Sequence, residues 1–377
     1  MTGATEFVLN LMKKARYLLL IILLLPFLSL LLPVELPPGV SYEHVRTEKP
    51  LSVHVLRIDP KEVSIVAERA LGEGVGRETV SEIGKRKGAL AAINGGFFRI
   101  GGSYDGEPLG ILKVGEQWFS EPTIPRGAIG WTRDAGRVVI DRVAMSWWVK
   151  VGSDSVAVDG INRPRGLNKI ILYTPEFHET TMSSSSGREV IIERGLVRKI
   201  VAGGNSPIPD DGYVLSIGPQ AEVDFSIFQP GKQAEVSYRF VPDDPTSSEE
   251  EFHEEWSQMD YIVGGTPLLM RNNQIIHDFS IERVESSFVE KRHPRSAIGI
   301  LNDKRWVMVV VDGRQPTTSM GMSLPELALF MQSLGCTDAL NLDGGGSSTL
   351  YLQGQVVSAP SDLMGERPVS DAILVIP

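Results

Sequence analysis

The sequence predicts an α+β fold, with a mixed β-sheet, flanking helices and a β-rich middle region, preceded by an N-terminal hydrophobic segment. Three observations carry this expectation. Capping-box patterns precede apolar strand runs near both ends of the folded region, at Thr79-Val80-Ser81-Glu82 and at Ser323-Leu324-Pro325-Glu326. Between them, residues 99–290 hold many short β-type runs separated by Gly, Pro, Asn and Asp. The run from Tyr17 to Leu32 stands apart, being apolar on every face apart from the interruptions Pro26 and Ser29.

Lys13, Lys14 and Arg16 stand ahead of that run and Pro33, Pro37 and Pro38 follow it, a pattern like a secretory n-region and h-region. The run falls short of the roughly 20 residues of a confident spanning helix, and no small-x-small cleavage site follows. Residues 1–36 are therefore read as a signal peptide or an uncleaved signal anchor, with membrane contact through this segment in the second case. The preceding positive charge places the remainder outside the cytoplasm, secreted or anchored by one helix. Residues 37–50 read as a linker and 51–377 as the functional domain.

Within that domain, Val53–Ile58 and Val63–Val66 are strand runs joined by Asp59-Pro60. Thr79 starts a short helix that Gly88 ends, and Ala89–Ile93 reads as a buried strand delivering Asn94-Gly95-Gly96-Phe97-Phe98. Arg137–Ile140, Val190–Ile192 and Ala234–Tyr238 are β-type runs of the middle region, and the acidic stretch 243–255 reads as a solvated loop. Ser296–Leu301 and Trp306–Val311 flank the turn Asn302-Asp303-Lys304 as a hairpin of buried strands. After Ser323, Leu324, Leu327, Ala328, Met331 and Leu334 form an apolar helical stripe closed by Gly335, and Ala339–Leu342 follows as a strand. A crossover helix there makes the strands ending at Asp312 and Asp343 parallel, so both carboxylates emerge at one sheet edge.

With 42% hydrophobic residues, the 377-residue chain can bury a large core. Its formal charge of -10 argues against general nucleic-acid binding. The single cysteine, Cys336, excludes an internal disulfide and reads as a small buried hydrophobe. Six scattered histidines show no zinc-ligand spacing, so neither metal nor cofactor is expected from spacing, and no protein partner is implied.

The chemistry concentrates in Asn341-Leu342-Asp343-Gly344-Gly345-Gly346-Ser347-Ser348-Thr349. Asn341 and Asp343 share a strand parity, and the glycines let backbone N–H groups converge beside the hydroxyls, an arrangement suited to an anion. Arginines accompany the polar clusters: Arg295 in His293-Pro294-Arg295-Ser296, Arg314 after Asp312-Gly313, and Arg367 in Gly365-Glu366-Arg367. Such forks suit phosphate or carboxylate oxygens. A nucleotide P-loop is excluded by the missing lysine and by a helix that precedes the strand instead of following the glycines.

The ordered motifs Asn94-Gly95-Gly96-Phe97-Phe98, His293-Pro294-Arg295-Ser296-Ala297, Asp312-Gly313-Arg314 and Asn341–Ser348 resemble those of the phosphodiester glycosidase family, over roughly residues 85–376. The resemblance implies a mixed α/β domain that cleaves the bond between a sugar anomeric carbon and a phosphodiester oxygen. The residue inventory agrees with that chemistry. Asp343 is the expected nucleophile or stabiliser of an oxocarbenium-like state, and Asp312, or Glu326 if it is free of its capping-box role, the acid or base for water. Arg295, Arg314, Arg367 and the Gly344, Gly345, Gly346, Ser347 and Ser348 turn would hold the phosphate. Asn94, Gly95, Gly96 and Asn341 would meet the sugar. The alternative is a non-catalytic module that binds anionic glycans in envelope or exopolysaccharide assembly.

Overall fold

The apolar runs on either side of Asn302-Asp303-Lys304 form the expected hairpin. Arg295–Leu301 pairs antiparallel with Trp306–Val311, and every residue of both strands is buried. The computed structural model describes residues 35–48, 50–72 and 74–377. Pro37–Pro377 form one compact unit. The hydrophobic run expected to be a signal peptide or anchor lies outside the described residues. Among those described, no helix is long and apolar enough to cross a membrane.

The hairpin sits at the centre of a seven-stranded sheet. Its order is Val40–Thr47, Leu51–Ile58, Trp306–Val311, Arg295–Leu301, Cys336–Asn341, Leu268–Arg271 and Gln274–Ile275. Trp306–Val311 and Cys336–Asn341 are each antiparallel to Arg295–Leu301, so they run in the same direction with that strand between them. Helix Leu324–Ser333 connects them, started by a complete Ser323/Glu326 capping box and followed by Gly335 at φ 87°. The strands therefore agree in direction but are not neighbours, and Asp312 and Asp343 emerge at the same edge.

Leu324, Leu327, Ala328 and Met331 cover the valines of Leu51–Ile58 and Trp306–Val311. Each such side chain contributes about 1.5–3 kcal/mol of transfer free energy. Gly299 is required where the helix crosses, because a Cβ there would lie 2.7 Å from Cys336 Sγ and 2.8 Å from Met331 Cε. Cys336 is buried, and burial pushes its thiol up to about 12.

A five-stranded sheet, in the order Gln355–Val356, Leu350–Leu352, Ala91–Asn94, Asp371–Ile376 and Ser64–Arg69, carries the upstream motif. Helix Val80–Arg86 precedes it, with the Thr79/Glu82 capping box formed and Gly88 at φ 63°. The middle region supplies the other two sheets seen among the described residues. Trp131 links three of these four sheets. Its Nε1 donates to the Ile65 carbonyl at 2.8 Å, and its ring meets Trp306 edge-on at 5.3 Å.

Three expectations need correction. Among the described residues the fold is mostly β, with few short helices, and the strand pairs are antiparallel except Gly160–Ile161 with Ile170–Tyr173. Alternating short runs bury enough apolar surface by sheet-on-sheet packing that flanking helices are needed on few faces. Residues 40–47 are strand and not linker. The alternation Val40, Tyr42, His44 pairs in register with Leu51–Ile58, His44 facing His54. In the acidic stretch, Ser248 caps helix Glu249–Ser257, whose opening glutamates suit a helix N-terminus and whose Trp256 is buried against Phe240. Asp243 is bound by Arg142 at 3.0 Å and Arg271 at 2.9 Å.

Candidate active site

Two strands from different sheets end against each other at the site. Asn94, the last residue of Ala91–Asn94, is fully buried. Its Oδ1 accepts from Ser296 Oγ at 2.6 Å and from the Thr349 N–H at 3.2 Å, and its Nδ2 donates to the Asp343 carbonyl at 2.8 Å. The Asp343 N–H in turn donates to the Gly95 carbonyl at 3.1 Å. Asn94 and Gly95 thus act on the backbone of Asp343, and the amide expected to meet a sugar is consumed in holding the turn.

Gly95 and Gly96 are dictated by close approach. A Cβ on Gly95 would collide with the Asp371 carboxyl, and one on Gly96 would lie 2.7 Å from the Gly264 carbonyl. Asp371 Oδ1 accepts from the Gly96 N–H at 3.0 Å. Asn341, also expected on the sugar, is fully buried, donating from Nδ2 to the carbonyls of Thr266 at 2.6 Å and Leu342 at 2.8 Å. Its Oδ1 and the hydroxyls of Ser348 and Thr349 are buried without a protein partner. Strand parity predicted Asn341 and Asp343 on one face. The strand ends at Asn341, however, so strand parity does not extend to Asp343.

Asp343 is partly buried, and its Oδ1 accepts from the Gly344 N–H at 2.8 Å. Burial pushes its carboxyl up to about 6, with Asp371 adding to the rise and the Gly344 amide and Arg367 opposing it. Burial likewise raises Asp371. The turn continues through Gly345, at φ 63°, into a single 3₁₀ turn over Gly345–Ser347. The N–H groups of Gly344, Gly345, Ser347 and Ser348 bond within the protein, to Asp343, Pro294, Gly344 and Gly345. So tight a turn must satisfy its own amides, and these four form no open anion cradle.

The positive charge comes from side chains. A Cβ on Gly345 would lie 2.9 Å from Arg314 Nη2, so this guanidinium rests over the turn, exposed on its outer side. Arg367 and Asp362 crowd the Gly346 position in the same way. Arg367 is held by Asp362 through Nε at 2.8 Å and Nη2 at 3.0 Å, while Arg314 Nη1 is 4.0 Å from Asp362. Arg295 is placed differently from expectation. It is fully buried behind Gly344, donating to the carbonyls of Met322, Phe288 and Lys291 and lying 4.5 Å over the Phe288 ring. It pins the end of helix Ser286–Glu290, where orphan carbonyls need donors. Its Nη1 is buried without a partner, and burial, with Arg314 adding, lowers its pKa to about 10.

Asp312 faces a second set of groups at the same edge. Its Oδ2 accepts from Ser52 Oγ at 2.6 Å and bonds His54 Nε2 at 3.0 Å, and its Oδ1 accepts from the Ala359 N–H at 2.8 Å. Burial alone would raise it. The His54, Ser52 and Ala359 bonds outweigh burial and hold the carboxyl below its ordinary value of 3.8.

A carboxylate on a glycine turn beside two guanidiniums, fed by strand ends far apart in sequence, fits sugar-phosphate chemistry. A family model for phosphodiester glycosidase matches residues 186–376, about half of the chain. The chain belongs to the phosphodiester glycosidase family. It is 34% identical over 124 residues to mouse N-acetylglucosamine-1-phosphodiester alpha-N-acetylglucosaminidase, covering 30% of this chain and 24% of the mouse protein. It is 28% identical over 231 residues to an uncharacterized Rickettsia conorii protein, covering 60% of this chain and 76% of that one. Among solved structures, a Synechocystis protein aligns with a TM-score of 0.76 and 25% identity, covering 90% of this chain and 62% of that chain. A Burkholderia pseudomallei protein aligns at 0.72 and 26% identity, with coverage of 87% and 74%. The chain thus spans about a quarter of the mouse enzyme.

Several residues of this candidate site escaped the sequence reading. Asp362 lies five residues before Arg367 in a polar turn, and Asp371 is an isolated charge opening an apolar strand. Ser52 and His54 alternate with Val53 and Val55. That alternation is the signal that one face of the strand is reserved for polar groups.

Proposed function

We propose that this protein is an extracytoplasmic hydrolase that cleaves a glycosyl-1-phosphodiester to free sugar and a phosphomonoester. The observation that carries the reading is the Asp343 carboxyl beside a turn over which Arg314 rests. Water attacks the anomeric carbon as the bond from that carbon to the phosphate oxygen breaks, and the electron pair leaves with the phosphate. Asp343, ionised near neutral pH, stabilises the oxocarbenium-like charge and takes up the proton released by water. The leaving phosphate gains negative charge, which Arg314 meets directly and Arg367 reinforces from its Asp362 latch. Asn94 and Arg295 act through backbone groups, fixing the turn and the loop behind it.

The lysine- and arginine-led apolar run before residue 33 supports the extracytoplasmic location. The mouse relative's name supports an N-acetylglucosamine diester as one member of the substrate panel. The test incubates the full chain with glycosyl-1-phosphodiesters differing in sugar and aglycone and analyses the products. Free reducing sugar with stoichiometric phosphomonoester is expected, and Asp343→Asn should lose at least about 100-fold. Saturable binding of the diesters without cleavage of any would establish the glycan-binding alternative instead.

A further inference from the structure

The second set of polar groups at this edge, around Asp312, lies on the outer strands of the central sheet. His44 and His54 are directly opposite each other on paired strands, their rings stacked at 4.1 Å. Asp312 reaches the same place from the next strand, its N–H bonded to the Ser52 carbonyl at 3.0 Å. One nitrogen from each histidine and one Asp312 oxygen lie within 4.8 Å of one another, and His54 and Asp312 are buried. They border a cavity of about 480 Å³ that Gln315 and Ser358 also line.

We propose that His44, His54 and Asp312 bind a first-row divalent cation, zinc by ligand type, with an open coordination position facing this cavity. Two imidazoles and one carboxylate are a zinc donor set, and two nitrogen ligands disfavour magnesium or calcium. Metal–ligand bonds of about 2.0–2.2 Å hold the ligand atoms of one ion roughly 3–4 Å apart. The His54 Nε2 to Asp312 Oδ2 distance is already 3.0 Å, so a small separation of the three side chains admits the ion.

The surroundings are built to orient these ligands. Tyr42 OH meets His54 Nδ1 at 2.8 Å. A phenol hydroxyl can donate to that nitrogen or accept from it, so the ring can hand its proton to the Nδ1 side and present a bare Nε2 to the ion. Ser52 Oγ bridges His44 Nε2 at 2.8 Å and Asp312 Oδ2 at 2.6 Å, aligning both on one point. The Ala359 N–H fixes the other carboxylate oxygen. The partners of the buried Asp312 carboxylate are a hydroxyl, an imidazole and a backbone amide, with no lysine or arginine among them, leaving its charge for a cation. Arg46, which touches His44 Nε2 at 3.3 Å, is exposed and can swing into solvent.

The site does not depend on the hydrolytic reading, and its test reads metal alone. The full chain, stripped with a chelator, is titrated calorimetrically with Zn²⁺, and loaded with Co²⁺ for absorption spectroscopy. One zinc per chain and intense tetrahedral-type cobalt bands are expected. His44→Gln, a change on a half-buried edge-strand residue, should weaken zinc at least about 100-fold, and Tyr42→Phe about 10-fold. Zinc should raise the melting temperature of the native chain but not of His44→Gln. Absence of stoichiometric zinc binding, or binding unchanged in both His44→Gln and His54→Gln, overturns the proposal. Failure to cleave any diester leaves these readouts untouched.

Discussion

Asn94 and Asp343, 249 residues apart, are clasped backbone to side chain: Asn94 Nδ2 holds the Asp343 carbonyl while the Asp343 N–H holds the Gly95 carbonyl. Because Asn94 also takes Ser296 Oγ and the Thr349 N–H, one fully buried amide locks strand ends of two sheets and both flanks of the glycine turn. The turn owes its shape to this residue more than to its glycines, which only make the approach possible.

Asn94→Ala should therefore cost about 3 kcal/mol, since it leaves a buried hydroxyl, an amide and a carbonyl without partners. Asn94→Asp keeps the acceptor but places a carboxylate oxygen against the Asp343 carbonyl in place of a donor. We expect it to lose comparable stability and at least about 10-fold in kcat with little change in KM. Chemical denaturation and steady-state kinetics on the two variants check this, and a change confined to KM would return Asn94 to substrate contact.

Asp343 should trade stability for function. Its carboxyl ionises near 6 in the folded chain against an ordinary 3.8, because burial penalises the charge. That penalty is absent below about 3.8, grows as pH rises, and is fully present above about 6. Asp343→Asn removes it and should stabilise the protein by roughly 2 kcal/mol at pH 7–8, the advantage fading towards pH 4. The same ionisation gives kcat/KM a rising limb near pH 6. A variant melting at the wild-type temperature across this range would contradict the assigned environment.

Arg314 is the exposed cation over the turn, at φ 59° and without a short ion pair. Arg314→Ala should change stability by less than about 0.5 kcal/mol, as expected of a surface site, while lowering kcat/KM about 100-fold. Arg295→Ala should do the reverse in order. It leaves the carbonyls of Phe288 and Lys291 unbonded in the interior and that of Met322 with the His293 N–H alone, so loss of folded protein should precede any kinetic effect. Paired thermal melts and kinetics separate the two arginines.

Periodicity and capping made the framework legible: both capping boxes, the Ser296–Val311 hairpin and the strand before each glycine motif stand where the sequence places them. These are local signals, each decided within a dozen residues. What local pattern could not supply was the use of the polar side chains. Asn94, Asn341 and Arg295 read equally well as ligand-facing or as clamps, and only the packing of Gly264–Pro267 and helix Ser286–Glu290 against them decides. The share of strand was underestimated for a related reason, since the pairing of Val40–Thr47 is recognisable only once its partner is known.

Asp312 provides the last prediction, with the opposite sign from Asp343. Its carboxyl lies below the ordinary 3.8, because bonds from His54, Ser52 and the Ala359 amide outweigh its burial. It therefore contributes stability that is fully present above about 3.8 and is lost as pH falls through the depressed folded value. Asp312→Asn keeps one acceptor oxygen but loses the charge that His54 and Ser52 address. Relative to wild type it should be destabilised by about 2–3 kcal/mol near pH 7, and the gap should narrow only in strong acid. Urea titrations at a series of pH values test this directly. A gap that closed already at pH 5 to 6 would mean that the wild-type carboxyl is raised and not depressed, and that the His54–Asp312 contact is not the bond it is taken to be.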